Sequence, residues 1–290
     1  MVAEGRAAGT SALIWQNGRE VYFGTAGMAD RAAKRPMRRD TIAQIYSMTK
    51  PVTGVALMQL WEAGKFRLDD PLAKYLPEYA AMRVYAGKDA AGQPRTVPAE
   101  RPISVRDILR HTAGFVYGAG PAPAPDAYVP ADPLALTIPL AEASKRLAGV
   151  PLLYQPGTQW EYSIAVDVQA ALVEKLSGQP FAAYIQTHIF EPLKMRETAW
   201  RQPDARLPRF AAMNVKKDGK LIQQAAAEAQ VLNFRDHALT PGGFGLASTL
   251  DDYSRFARML LGKGELDGVR ILQPSTVKLM ATDQLDPAIT

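Results

Sequence analysis

The chain has 290 residues, 47% hydrophobic and 22% charged, which is typical of a globular protein with one large domain or two small ones. The net charge is +5, but lysine and arginine are scattered along the chain, so a nucleic-acid partner is not expected. Cysteine is absent, which excludes disulfides and thiolate metal sites, and no apolar run is long enough to span a membrane.

The N-terminal segment predicts an antiparallel hairpin followed by a buried helix. Apolar runs at residues 11–15 and 21–24 flank Asn17 and Gly18, and Asn-Gly is the preferred pair of a short hairpin turn. Residues 52–61 are apolar on almost every side, which predicts a buried helix. The N-terminal residues lack the apolar core of a signal peptide, so a cytoplasmic location is predicted, with a processed periplasmic form left open.

Ser47 and Lys50 form a Ser-x-x-Lys motif at the start of this helix. Residues three apart share a helical face, so an unprotonated Lys50 amine can reach the Ser47 hydroxyl and accept its proton. The helix N-terminus also favours the negative charge that develops on an attacking oxygen. Ser275 and Lys278 repeat the spacing after Pro274, where Ser275 is predicted to cap a helix.

The middle of the chain is predicted to be mostly helical with long loops. Helices are expected to begin near residues 69 and 104 and to cover residues 140–147, 167–176 and 181–190. Residues 119–133 are rich in Pro, Ala and Gly and predict a loop. Residues 240–245 predict a tight glycine turn, and helices follow near residues 248 and 274.

Two further side chains are candidates for proton transfer. Tyr162 follows a turn at residues 155–158; it either anchors a loop by its hydroxyl or acts as a general base when an ammonium such as that of Lys50 favours its phenolate. His111 is expected to complete the last turn of a helix, and a Ser-His-Asp role stays open. The histidines lack metal-ligand spacing and no glycine motif matches a nucleotide loop, so no metal and no cofactor are predicted.

Several segments carry a resemblance to a known family. In order they are residues 47–53 (SMTKPVT), 68–71 (LDDP), 107–114 (DILRHTAG), 160–163 (WEYS), 190–195 (FEPLKM) and 242–249 (GGFGLAST). Over residues 12–279 the chain resembles the class C β-lactamase family. Relatives of that family include the family VIII serine carboxylesterases, D-alanyl-D-alanine peptidases, other penicillin-binding proteins and some acyltransferases, and Ser-x-x-Lys is a nucleophile motif within this group.

The resemblance implies a mechanism and a fold. Ser47 would be the nucleophile, with its backbone N–H as one oxyanion donor, and Lys50 and Tyr162 would be its proton-transfer partners. Which of the two takes the first proton stays open, because groups this close titrate as a pair. The implied fold is α+β, of the β-lactamase/transpeptidase type, with an antiparallel sheet flanked by helices and an inserted, mostly helical domain.

Departures from the family pattern bear on the substrate and on the C-terminus. Ile164 stands two residues after the tyrosine, where lactamases and peptidases have asparagine, and isoleucine cannot hydrogen-bond a substrate amide. An ester substrate is therefore favoured over a β-lactam. The family's third motif, a Lys-Thr-Gly, His-x-Gly or Trp-Gly-Gly segment on a strand, does not follow Pro274, so the C-terminal strands are expected to be missing by truncation.

The sequence therefore predicts a serine hydrolase that cleaves small carboxylic esters, with its oligomeric state left open. The alternatives are a β-lactamase or D-Ala-D-Ala carboxypeptidase, and a penicillin-binding sensor that acylates without turnover. Ile164, Tyr117 and Phe115 are predicted to line the substrate pocket, although core packing explains Tyr117 and Phe115 equally well. The predicted domains are residues 1–66 with 242–290, an α/β domain, and residues 67–241, a mostly helical domain.

Overall fold

The computed structural model describes residues 1–118 and 129–289, and the chain divides into two compact units. The first unit contains Met1–Tyr46, Phe190–Asp236 and Gly245–Val269. The second contains Ser47–Ile189, His237–Phe244 and the chain from Arg270 onward. Helices and antiparallel strands together make the α+β fold that was predicted. Of the predicted loop at residues 119–133, residues 119–128 lie outside the described residues.

The strands and helices of the described residues are as follows. The strands are β1 (Gly9–Gln16), β2 (Arg19–Asp30), β3 (Arg35–Pro36), β4 (Ile42–Gln44), β5 (Arg83–Lys88), β6 (Pro94–Pro98), β7 (Asn214–Lys217), β8 (Lys220–Gln223), β9 (Ala247–Thr249), β10 (Glu265–Leu266) and β11 (Val269–Arg270). The helices are α1 (Thr49–Glu62), α2 (Val105–Leu109), α3 (Leu140–Ala148), α4 (Ala165–Ser177), α5 (Phe181–Ile185), α6 (Ala226–Ala229), α7 (Val231–Phe234), α8 (Leu250–Leu261) and α9 (Pro274–Met280).

The first unit is built on the N-terminal hairpin. β1 and β2 pair antiparallel, and β3 adds to the far edge of β2. Asn17 and Gly18 take φ values of +51° and +76°, as a type I′ turn requires, so the predicted hairpin is confirmed. α8 packs against β1, where the guanidinium of Arg258 lies 3.7 Å from the ring centre of Trp15. This stacking covers one face of the hairpin with the amphipathic helix.

Further hairpins occur that the sequence analysis did not predict. β7 and β8 pair in the first unit, and β5 and β6 pair in the second. The turn between β7 and β8 contains Asp218 and Gly219 at φ values of +49° and +74°. Asp-Gly is a strong hairpin signal, so this element was visible in the sequence and was missed.

The second unit is organised around α1. The helix begins at Thr49 and keeps Pro51 in its first turn, where the missing N–H of proline would have no helical partner anyway. α1 packs against α4 and α5. Its buried apolar residues are Val52, Val55, Ala56, Leu57, Met58 and Leu60. Burial of each large side chain contributes about 1.5–3 kcal/mol, so the predicted helix over residues 52–61 is confirmed as a core element.

The helix starts predicted near residues 104 and 69 have different outcomes in the structure. The Ser104 hydroxyl accepts the N–H of Asp107, and the Asp107 carboxylate accepts the N–H of Ser104, so the predicted cap of α2 is confirmed as a capping box. The helix predicted near residue 69 is wrong, because only a 3-10 turn at Leu72–Lys74 forms there before Pro77.

The predicted cap at Ser275 is also wrong. α9 starts at Pro274, its N-cap residue is Gln273, and no side chain caps it by a hydrogen bond. Proline at the first helical position places the N-cap two residues earlier than predicted, at Gln273 in place of Ser275. Ser275 is therefore an exposed residue inside the first turn of the helix.

The two units group the chain differently from the predicted domains. α1 lies in the mostly helical second unit and not with the N-terminal hairpin, because its apolar side chains pack against α4 and α5. The predicted domain boundaries themselves stay a prediction. Within residues 1–118 and 129–289, none of the helices combines the length and the apolar character that crossing a bilayer requires.

Candidate active site

Ser47, Lys50 and Tyr162 meet at the N-terminal end of α1. Ser47 lies in the 3-10 turn Tyr46–Met48 just before the helix, and Lys50 follows in the first turn of α1. The Lys50 Nζ donates a hydrogen bond to the Ser47 Oγ at 3.2 Å, and the Tyr162 hydroxyl donates to the same oxygen at 2.8 Å. Tyr162 comes from the segment before α4, so tertiary structure brings a third group to the motif.

Lys50 is held in place from several sides. Its Nζ donates to the carbonyl oxygen of Gly243 at 2.8 Å. It also lies 4.6 Å from the ring centre of Tyr162 and 5.5 Å from that of Tyr117, so two aromatic faces attract the ammonium. These contacts hold the Lys50 side chain in one conformation, with its amine directed toward Ser47, although a lysine is otherwise flexible.

The Gly242–Gly243 turn brings that carbonyl to Lys50. The Thr53 hydroxyl donates to the Gly242 carbonyl at 2.7 Å, and the Gly243 N–H donates to Oδ1 of Asp167 at 3.1 Å. A Cβ at Gly242 would lie 2.4 Å from a backbone oxygen of α4, and a Cβ at Gly243 would lie 2.8 Å from Oδ2 of Asp167. Close packing therefore requires glycine here, and the predicted tight turn is confirmed.

Asp167 was not predicted as a site residue. It lies in the first turn of α4, and only 5% of its surface is exposed. Burial raises its pKa to about 6, against the opposing effects of the Gly243 N–H and the Lys50 charge. Its Oδ2 has no hydrogen-bond partner among the described residues. The sequence contains a sign of its role. Asp167 is the one charged residue between positions 162 and 173, and a charge within an otherwise apolar, buried segment is rare without a function.

The ring of His111 packs against the ring of Tyr162. His111 follows α2 in the left-handed region at φ +60°, and its ring centre lies 5.2 Å from that of Tyr162. The Ser163 N–H donates to Nδ1 of His111 at 3.2 Å. Burial, and then the positive charge of Lys50, lower the pKa of His111 to about 4, so the ring is neutral near pH 7. No hydrogen bond joins His111 to Ser47 among the described residues, so the geometry does not favour a Ser-His-Asp arrangement.

The residues predicted to line the pocket are placed differently from one another. Tyr117 is half-buried beside Lys50, and its ring centre lies 5.7 Å from that of Tyr162. Ile164 and Phe115 expose only 1% and 3% of their surfaces. Ile164 is the N-cap residue of α4, and Phe115 packs edge-on against another buried ring. The contact of these three residues with a substrate stays a prediction.

A cavity of about 280 Å³ adjoins the site within the second unit. Lys50 and His111 line the cavity together with apolar side chains that include Met58, Leu109 and Leu279. Its volume is close to the lower end of small-molecule pockets. No group of three or more His, Asp or Glu side chains in the described parts of the chain could hold a metal ion.

The arrangement around Ser47 can move a proton and support a negative charge. The Oγ is exposed and accepts hydrogen bonds from an ammonium and a phenol, which are the contacts that a serine alkoxide needs. When one of the two groups is unprotonated, as a Lys50 amine or a Tyr162 phenolate, it can accept the Ser47 proton and later return it. Such an arrangement suits nucleophilic attack by serine on a carbonyl carbon.

Comparison with known proteins agrees with this chemistry. The family model described as Beta-lactamase matches residues 1–290. Esterase EstB of Burkholderia gladioli is 36% identical over 200 residues, which cover 67% of this chain and 47% of EstB. Lovastatin esterase of Penicillium rubens is 30% identical over 258 residues, which cover 88% of this chain and 62% of that relative.

A solved structure shows the same fold. The structure of EstCE1, a hydrolase with promiscuous acyltransferase activity, aligns with a TM-score of 0.75 and 28% identity, covering 96% of this chain and 73% of EstCE1. Fold and site thus agree with the serine-hydrolase chemistry derived above. The chain belongs to the beta-lactamase family, and it is a serine hydrolase of the carboxylesterase type.

Proposed function

We propose that the protein hydrolyses small carboxylic esters through an acyl-enzyme on Ser47. The observation that carries the proposal is the convergence on the Ser47 Oγ of the Lys50 Nζ at 3.2 Å and the Tyr162 hydroxyl at 2.8 Å. Two relatives whose names describe them as esterases support the same class of substrate.

The proposed reaction has two halves. In the first, Ser47 Oγ attacks the ester carbonyl while its proton passes to the unprotonated member of the pair, either a Lys50 amine or a Tyr162 phenolate, and the same group then gives that proton to the departing alcohol. In the second, water attacks the acyl-enzyme, gives its proton to the same pair, and the carboxylic acid leaves as Ser47 regains a proton. The order in which Lys50 and Tyr162 act stays open, because both groups contact the same Ser47 oxygen.

An ester is preferred over a β-lactam because of Ile164. The side chain offers no hydrogen bond to a substrate amide, and it is buried at the start of α4. An amide-reading site that lacks a polar partner loses about 1–3 kcal/mol of recognition. The side chain therefore adds nothing to the recognition of a lactam amide.

A direct comparison of substrates tests the proposal. The purified chain is assayed with p-nitrophenyl acetate and butyrate and with nitrocefin, and Ser47→Ala serves as the inactive control. We expect ester hydrolysis to exceed nitrocefin hydrolysis and to vanish in the Ser47→Ala variant. Faster turnover of nitrocefin would replace the ester proposal with a β-lactamase.

The sensor alternative is separated by intact mass. A fluorophosphonate and a penicillin are each incubated with the protein, and the adduct mass is followed over time. A single stable penicillin adduct without ester turnover would favour a penicillin-binding sensor, whereas absence of any adduct on Ser47 would remove both proposals. The cytoplasmic location inferred from the sequence stays a prediction.

A further inference from the structure

The carboxyl group of Asp167 is placed to control Lys50 without touching Ser47. Oδ1 accepts the N–H of Gly243 at 3.1 Å, and the carbonyl of the same Gly243 accepts the Lys50 Nζ at 2.8 Å. One peptide segment therefore connects the buried carboxyl group to the ammonium beside Ser47. No hydrogen bond joins Asp167 to Ser47 among the described residues, so any effect of Asp167 on catalysis is indirect, and the shared Gly243 peptide makes Lys50 its nearest route.

The other carboxyl oxygen lies in the same cluster. A Cβ added to Gly243 would be 2.8 Å from Oδ2 of Asp167, 3.2 Å from the Tyr117 hydroxyl and 3.5 Å from the Lys50 Nζ. These polar atoms therefore converge on the α-carbon of Gly243. Oδ2 is buried and has no hydrogen-bond partner in the described parts of the chain, which is costly for an oxygen kept only for structure.

We propose that Asp167 is a positioning residue of the hydrolytic site, whose ionised carboxylate fixes the Gly242–Gly243 turn so that the Gly243 carbonyl holds Lys50 against Ser47. The proposal rests on the function proposed above. An ionised carboxylate accepts the Gly243 N–H more strongly than a neutral carboxyl does, and it attracts the Lys50 ammonium. Protonation of Asp167 removes both effects and loosens the hold on Lys50.

The surroundings of Asp167 decide the pH at which this occurs. It faces Lys50 from α1, the Tyr117 phenol from the segment after α2, and Tyr79 from the 3-10 turn Pro77–Tyr79. The Gly242–Gly243 turn contributes only N–H groups to the carboxyl. Burial raises the pKa of Asp167 to about 6 although Lys50 favours the ionised form, so activity is expected to fall as the pH drops through 6.

The first test is the pH profile of ester hydrolysis in Asp167→Asn. The asparagine oxygen can still accept the Gly243 N–H, but the side chain carries no charge and does not titrate. We expect kcat to fall on the order of 10- to 100-fold at pH 8 with little change in KM, because a displaced catalytic group slows the chemical step. We also expect the decline of activity near pH 6 to disappear.

Glu174→Gln is the matched control on the same helix. Glu174 also has a raised pKa caused by burial, and it accepts a backbone N–H, that of Phe181 at 2.8 Å. The control should keep the kinetics and the pH profile of the unmodified protein. A merely structural role for Asp167 would lower the rate at every pH and leave the decline near pH 6 in place, and that result would overturn the proposal.

A second test does not depend on turnover. The carboxyl groups of ¹³C-labelled aspartate are titrated by NMR in the unmodified protein and in Lys50→Ala. Loss of the ammonium should move the transition of Asp167 from near pH 6 to a higher pH, because Lys50 favours its ionised form. If none of the aspartate resonances shifts, the coupling is absent and the proposal fails, even when Asp167→Asn does not fold. A chain that hydrolyses no ester but shows the shift would refute the proposed function and keep the positioning of Lys50.

Discussion

The same Ser-x-x-Lys spacing occurs at the start of α1 and at the start of α9, with different outcomes. Lys50 Nζ lies 3.2 Å from Ser47 Oγ, with the Tyr162 hydroxyl on the same oxygen. Ser275 and Lys278 are both exposed, and no hydrogen bond joins them among the described residues. The spacing alone therefore brings the two side chains within reach but does not build a site.

The difference comes from what surrounds each lysine. Lys50 is held by the Gly243 carbonyl and by the rings of Tyr117 and Tyr162, which belong to other segments of the second unit. Lys278 lies on the exposed side of a short helix, where a lysine side chain samples many conformations. A Ser-x-x-Lys motif becomes a candidate nucleophile only where tertiary contacts immobilise the amine beside the hydroxyl.

The largest expected effect separates the two serines. Ser47→Ala should abolish fluorophosphonate labelling and lower ester hydrolysis by at least about 10³-fold, because the attacking oxygen is removed. Ser275→Ala is the matched control and should label and turn over normally. Labelling stoichiometry by intact mass and initial rates decide the comparison; an adduct that persists in Ser47→Ala would place the nucleophile elsewhere.

The two lysines should differ next. Lys50→Ala and Tyr162→Phe should each lower kcat by about 10²–10⁴-fold, since each removes a group that can transfer a proton at Ser47. Lys278→Ala should leave kcat unchanged. Steady-state kinetics together with circular dichroism of each variant check the result. A near-normal rate in either site variant would remove that residue from the proposed mechanism.

His111 gives a pH-dependent test of the environment around the first motif. Burial, and then the Lys50 charge, lower its pKa from 6.5 to about 4, so its contribution to stability is complete above pH 6.5 and is lost as the pH falls toward 4. The difference in unfolding free energy between the unmodified protein and His111→Asn should therefore shrink by about 3 kcal/mol from pH 7 to pH 4.

Asparagine is the appropriate replacement for His111 because it tolerates the left-handed φ of +60°. Asp167, whose pKa is raised, contributes in the opposite direction below pH 6, and the difference between the two proteins cancels that contribution. Urea unfolding at several pH values supplies the measurement. A difference that stays constant with pH would mean that His111 has the same pKa in the folded and the unfolded protein, which would contradict the lowered pKa.

The smallest expected effect concerns the two serines as helix caps. Ser104→Ala should destabilise the protein by about 1 kcal/mol, because Ser104 and Asp107 form a capping box at α2. Ser275→Ala should change the unfolding free energy by less than about 0.5 kcal/mol, because Ser275 lies inside α9 and does not cap it. Equal losses in the two variants would restore Ser275 as a cap.

The fold was predictable where local chemistry decides structure. The Asn17–Gly18 turn and the apolar run of α1 were recognised because turn geometry and continuous burial leave direct marks on the sequence. The hairpin at Asp218–Gly219 carried the same kind of mark and was overlooked. The single 3-10 turn at Leu72–Lys74 was mistaken for a helix because an acidic start and a nearby proline are compatible with both.

For the candidate site, the sequence by itself determined the Ser47–Lys50 pair, because residues three apart share one face of a helix. The sequence also supplied Tyr162 as a candidate, on a resemblance and not on a distance. Only the tertiary structure decided that Tyr162, Asp167 and the Gly243 carbonyl surround that pair. The packing of α4 and the glycine turn near α1 depends on contacts between residues far apart in the chain, and such contacts leave no local periodicity to read.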